Sequence, residues 1–166
     1  MSGKNLSIGR ALGIGLAAVA VVGVGIQLLP FGRDHSNPPV ITQTNWDSQQ
    51  TRDLFYRACA DCHSYETKWP WYSNIAPVSW LVARDVQEGR EHFNISDASA
   101  TSHSHSGHDE SPSEPLREGE MPMPIYLPLH PEALLTAEEK QQLIDGLDAT
   151  FGGEEGTADR LLASLP

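Results

Sequence analysis

Cys59-Ala60-Asp61-Cys62-His63 is the stretch on which the reading of this chain turns. One turn of helix brings its two thiols to one side, and a histidine follows at once. C-x-x-C-H is the attachment sequence for c-type haem, in which two thiols bond the porphyrin vinyl groups and the histidine is carried under the ring. Other chemistries also use paired cysteines. A thioredoxin-like redox pair needs a βαβ context, which the surrounding pattern lacks. A zinc half-site needs more ligands than the sequence arranges nearby, and a structural disulfide is the remaining alternative. The chain has only 2 cysteines, which removes disulfide-rich scaffolds and four-cysteine zinc sites. The expectation is one covalent haem c on Cys59 and Cys62, with His63 as an axial iron ligand.

The other axial position has few candidates. Besides Met1, the methionines are Met121 and Met123, in Gly119-Glu120-Met121-Pro122-Met123-Pro124. A thioether is a soft, neutral ligand that favours Fe(II), and flanking prolines stiffen the segment that would carry it. Met121 is the expected ligand. Met123, His92, His130 and an open site are the alternatives, and a methionine between prolines can also simply pack on an apolar surface. Trp69, Trp71, Tyr72 and Trp80 offer large flat faces and are expected to pack against the haem, with ordinary core packing as the plainer alternative. Lys68, Arg84 and Arg90 are the nearby cations able to neutralise propionates.

Working outward, Asp47 precedes a helix with Leu54, Phe55 and Ala58 on one face. Pro77 fits the first position of a second helix, from about Val78 to Glu91. Thr136 and Glu139 make a capping box for a third, with Leu143, Ile144 and Leu147 as its stripe and Gly152-Gly153 as its stop. Residues 96–115 form a His/Ser-rich polar loop, too poor in apolar side chains to order itself. His103, His105 and His108 lie in it, where a solvated loop and a Zn(II)- or Cu(II)-binding tract are the two readings. No strand signal of comparable quality occurs. The fold class is all-α: a small cytochrome-c-like helical domain around one covalent haem, with an N-terminal transmembrane helix.

Residues 11–29 carry no charge, and nineteen helical residues reach roughly 28 Å against a hydrocarbon core of about 30 Å. Lys4 and Arg10 precede the run, so the N-terminus is expected inside and the rest outside the cytoplasmic membrane. A cleaved secretory signal ending at Ala18-Val19-Ala20 is the rival; it would leave an apolar new terminus. The division that follows is a cytoplasmic N-terminus at 1–10, an anchor at 11–29, a linker at 30–46, a haem-binding domain at 47–151, and an extension at 152–166 with a short helix. With 11 Lys+Arg against 22 Asp+Glu the net charge is −11, which excludes a phosphate-binding nucleic-acid surface and points to a basic docking partner.

Beyond the attachment motif, Glu66-Thr67-Lys68-Trp69-Pro70-Trp71-Tyr72-Ser73, Ile75-Ala76-Pro77-Val78-Ser79-Trp80 and Asp85-Val86-Gln87-Glu88-Gly89-Arg90 follow. With Phe93-Asn94-Ile95-Ser96, Met121-Pro122, Tyr126 and His130-Pro131, the chain from about Trp46 to Leu147 resembles the bacterial haem-binding domain family, a monohaem cytochrome-c-like group of exported or membrane-anchored proteins. By that resemblance Met121 is the matching methionine, and haem binding is implied more firmly than a physiological role. The His/Ser-rich stretch is longer and more polar than the family's usual connection. The expected function is a membrane-anchored carrier of single electrons on the periplasmic side. Enzymatic activity is not expected, since no catalytic triad, phosphate loop or zinc-protease motif occurs. The alternatives are a haem sensor for NO, CO or peroxide, a fixed haem subunit of a redox complex, and a weak peroxidase using His92.

Overall fold

Side chains that replace missing backbone partners set where the helices begin. The Ser48 hydroxyl accepts the Thr51 N–H at 3.1 Å and opens helix α2 (Gln49–Ala58). Thr136 and Glu139 exchange hydrogen bonds of 3.2 and 2.9 Å at the head of α6 (Ala137–Phe151), the expected capping box, and the helix ends before Gly152. The computed structural model describes residues 3–97 and 111–152, and every regular element among them is helical. Between the two named helices lie α3 (Ala60–His63), α4 (Val78–His92) and α5 (Glu114–Glu118), with short 3-10 turns at Trp71–Asn74, Leu127–Leu129 and Pro131–Ala133; α1 (Gly3–Ile26) comes first. The three histidines of the polar loop and the expected helix at 157–165 lie outside the described residues.

The chain divides into two units, one of Met1–Ser36 and Trp69–Asp85, the other of Asn37–Lys68 and Val86–Pro166. The second has the apolar core. Leu54, Phe55, Ile95, Leu116, Leu143, Ile144 and Leu147 are buried together, so the stripes expected on α2 and α6 face one another. Full burial of one such side chain contributes about 1.5–3 kcal/mol. Gly146 is what lets α2 and α6 approach: a Cβ there would lie 2.0 Å from the Thr51 hydroxyl oxygen. Trp46, Phe55, Phe93 and Phe151 pack edge to face or tilted, with centroids 5.1–6.1 Å apart.

Residues 37–46, within the stretch read as a linker, are strapped to this unit. The Asn37 side chain donates to the Thr67 carbonyl at 2.9 Å, and the Ile41 and Thr42 N–H groups both donate to the Ser96 carbonyl. Ser96 and Ser113, inside the stretch expected to be a polar loop, are buried. Their hydroxyls explain it: Ser96 accepts the Tyr65 N–H, and Ser113 donates to Asp148.

The first unit begins with α1. Its segment Ile8–Ile26 has a mean hydropathy of 1.9 over 19 residues and none of it is buried, so it is long and apolar enough to cross a membrane. The helix ends at Ile26, three residues before the expected Leu29. Just past its end the Gln27 side chain donates to the Ala76 carbonyl at 2.9 Å and accepts the Ala76 N–H at 3.0 Å.

Candidate functional site

Cys59 closes α2 and opens α3. Its N–H donates to the Phe55 carbonyl at 2.8 Å, while its own carbonyl accepts from Cys62 at 3.1 Å and His63 at 3.0 Å. The single turn of α3 thus sets two half-buried cysteines at i and i+3, with His63 at its end. Burial pushes the Cys59 thiol up to about 12, and Cys62 adds to the shift. The two sulfurs are not joined as a disulfide.

His63 is gripped by the segment after α4. Its Nδ1–H donates to the Phe93 carbonyl at 2.9 Å, and its own carbonyl accepts the Ile95 N–H at 3.0 Å. Its ring lies 6.1 Å from that of Phe93. Burial lowers the His63 pKa and outweighs the backbone hydrogen bonds that raise it, so the imidazole is neutral. Fixing the proton on Nδ1 leaves the lone pair on Nε2, the arrangement of a metal-ligating histidine. Gly89 completes the support: a Cβ there would meet the Cys62 carbonyl oxygen at 2.8 Å and its Cβ at 2.9 Å. Only glycine lets the second half of α4 lie this close to the turn.

Asp61, between the cysteines, ties three segments together. One carboxylate oxygen accepts the Lys68 N–H at 2.9 Å, and the other accepts the Tyr126 hydroxyl at 3.0 Å. Its carbonyl accepts the Thr67 hydroxyl at 2.7 Å. Burial, then the Asp61 charge, raises the Tyr126 pKa, so this phenol stays a donor at neutral pH. The Tyr126 ring stacks on His130 at 3.9 Å, and His130 Nδ1–H donates to Glu132 at 3.0 Å.

The segment holding Met121 therefore reaches the attachment turn through Tyr126. Met121 is half-buried and packs on the same apolar cluster as Cys59 and Phe93. Its N–H donates to the Pro115 carbonyl at 3.1 Å, and the Met121-Pro122 peptide is cis. Met123 is also half-buried, and its carbonyl accepts the Tyr126 N–H at 2.9 Å. Of the histidine alternatives, His92 is exposed, whereas His130 is buried against Tyr126 and Glu132.

The four expected aromatic packers belong to the other unit. There Trp69 stacks on His35 at 4.5 Å, and the exposed Trp71 sets its edge against Tyr72 at 5.8 Å; Trp80 is half-buried. Arg90, one of the expected propionate cations, is committed to the chain itself, donating at 2.9 Å each to the Ser64 carbonyl, Asn37 and Thr67. Lys68 and Arg84 are exposed.

The sequence reading gave no role to Asp61, Gly89 or Phe93. A glycine inside a helix was the one local signal for Gly89; Asp61 and the Phe93 carbonyl act through distant pairings that no spacing reveals. Two thiols on one turn, an imidazole with one nitrogen tied, and a thioether on the same core form a donor set that fits a haem. Among the described residues no three His, Cys, Asp or Glu side chains converge as an alternative metal site. The profile of one family, described as a haem-binding domain, matches residues 21–149. No curated protein and no solved structure matches the chain.

Proposed function

The chain belongs to the haem-binding domain family, and from that premise we propose that it is a membrane-anchored monohaem c-type cytochrome that carries single electrons on the periplasmic side. The observation that carries the reading is the His63 Nδ1–H to Phe93 carbonyl bond at 2.9 Å, beside two thiols on the same turn. Cys59 and Cys62 would hold the haem as thioethers, His63 and Met121 would be the axial ligands, and Met123 is the alternative. Bound there, a haem supplies a one-electron Fe(III)/Fe(II) couple. The Phe93 carbonyl fixes the His63 ring and raises its basicity, and a Met121 thioether on the iron would favour Fe(II). Residue 93 is in turn held by the aromatic cluster, so the ligand geometry is set by packing. The apolar α1 would keep the protein on the membrane, and a net charge of −11 would steer it to a basic redox partner.

Covalent attachment is tested by haem staining after denaturing electrophoresis; complete loss of haem to acid–acetone would refute it. Met121→Ala should abolish the far-red sulfur-to-iron band of the ferric protein and lower its midpoint potential, with Met123→Ala leaving both nearly intact. A Met121→Ala protein that keeps the band, or a wild-type protein that binds CO rapidly at neutral pH, would overturn the carrier reading in favour of ligand sensing.

A further inference from the structure

The unit of Met1–Ser36 and Trp69–Asp85 exposes several large apolar side chains. Beyond the end of α1, Phe31 is 66% exposed, Trp71 76%, and Ile75, Val78 and Leu81 are each exposed by more than two fifths. Val78 and Leu81 stand three residues apart on one face of α4. Residues 69–83 contain no charged side chain, in a chain of net charge −11. An apolar surface of this kind marks an interaction site.

Polar clamps join this surface to the end of α1. The Gln27 amide pairs with both backbone groups of Ala76, at 2.9 and 3.0 Å. His35 stacks on Trp69, and its Nε2–H donates to the Ser73 carbonyl at 3.1 Å. Gly32, at φ +66°, sits where a Cβ would be 2.4 Å from the Ser79 carbonyl oxygen. The Arg33 guanidinium donates to the Gln27 carbonyl, meeting the negative end of the helix. Residues 71–81 are thus fixed to the point at which an apolar span of 19 residues stops.

We infer that residues 71–81, with Phe31, form a collar seated in the membrane–water interface, where α1 leaves the bilayer. Tryptophan and tyrosine prefer that layer because their rings bury apolar area while N–H and O–H reach the headgroups. The absence of charge over residues 69–83 lets the collar enter it at little desolvation cost. The occupant of the exposed face is lipid, by continuity with the span. The inference rests on the membrane-anchored reading above and deepens it, since the aromatic residues become a second attachment besides the helix.

The test uses the full-length holoprotein, labelled with 5-fluorotryptophan and reconstituted in phosphatidylcholine–phosphatidylglycerol vesicles, with and without a headgroup nitroxide. Trp71→Phe identifies the Trp71 fluorine signal, and Trp46, enclosed by Phe55 and Phe151, is the reference. The expected result in the Fe(II) state is loss of the Trp71 signal to the nitroxide, with the Trp46 signal retained. A Trp71 signal that survives in protein resistant to carbonate washing overturns the collar and leaves the anchor standing. A signal indifferent to lipid that shifts between Fe(II) and Fe(III) places this face on the haem instead. One that depends only on protein concentration assigns the face to a second copy of the chain. If carbonate washing releases the full-length chain, the anchored reading fails and the collar falls with it.

Discussion

The two units solve opposite packing problems. In the unit of Asn37–Lys68 and Val86–Pro166, Phe55, Leu143 and Leu147 are at most 2% exposed. In the unit of Met1–Ser36 and Trp69–Asp85 the buried positions among the described residues are Ser73, Ala76 and Ser79, while Phe31, Trp71, Ile75, Val78 and Leu81 are exposed. The first is held by the hydrophobic effect, which needs water outside. The second is held by side-chain amides and imidazole bonded to backbone, together with one glycine contact. The same residue types are used in both ways within one chain.

The largest effect should come from emptying the apolar core. Leu147→Ala removes a side chain that is 1% exposed and packed among Leu143, Ile144 and Phe55. The expected loss is about 2–5 kcal/mol, the range for a buried leucine with incomplete collapse of its cavity. Thermal unfolding followed by circular dichroism measures it, and haem incorporation should fall with it. A loss under about 1 kcal/mol would mean that the bound haem, and not this core, dominates stability.

The corresponding break in the other unit is Gln27→Leu. It lengthens the apolar run but strips both backbone groups of Ala76 of their partners. Each hydrogen bond contributes roughly 0.5–1.5 kcal/mol, so the amide of Ala76 should exchange with deuterium roughly tenfold faster or more. The amide of Leu147 is the reference and should keep its rate. Unchanged exchange at Ala76 would show that Gln27 decorates this contact and does not hold it.

This contrast also explains how much was legible in the chain. Helices α2, α4 and α6 were read from caps, Pro77 and apolar spacing, because those signals act within a few residues. The C-x-x-C-H turn was read for the same reason. Gln27 was passed over inside an uncharged run, because its partner Ala76 is 49 positions away. Asp61 fills a variable position of the motif, and its pairing with Tyr126 spans 65 positions. Arg90 was read as a cation for an anionic group, but three acceptors of the chain claim it. Spacing cannot show such claims.

The smallest expected effect sharpens the contrast from the other side, by removing a polar clamp from the unit that depends on its core. Asp148, on α6, accepts from Ser111, Ser113 and Arg117, and so ties α5 and the chain before it to that helix. Burial alone would raise its pKa; the Ser113 hydroxyl, Arg117 and the Ser111 hydroxyl outweigh it and hold the carboxyl below its ordinary value of 3.8. A carboxyl depressed on folding stabilises the native state fully above its unfolded pKa, and that share fades as pH falls through the lower folded value. Asp148→Asn keeps an acceptor but loses the charge. The Asp148 and Arg117 side chains are 38% and 39% exposed, so solvent screens the pair and the cost at pH 7 should be roughly 0.2–1 kcal/mol. Denaturant midpoints of wild type and variant should keep a constant gap from neutral pH down to about the ordinary value, then converge in stronger acid. A gap that widens on acidification would show that the carboxyl is not depressed. A gap as large as that of Leu147→Ala would mean that this unit too is held by its clamps, and the distinction between the two would collapse.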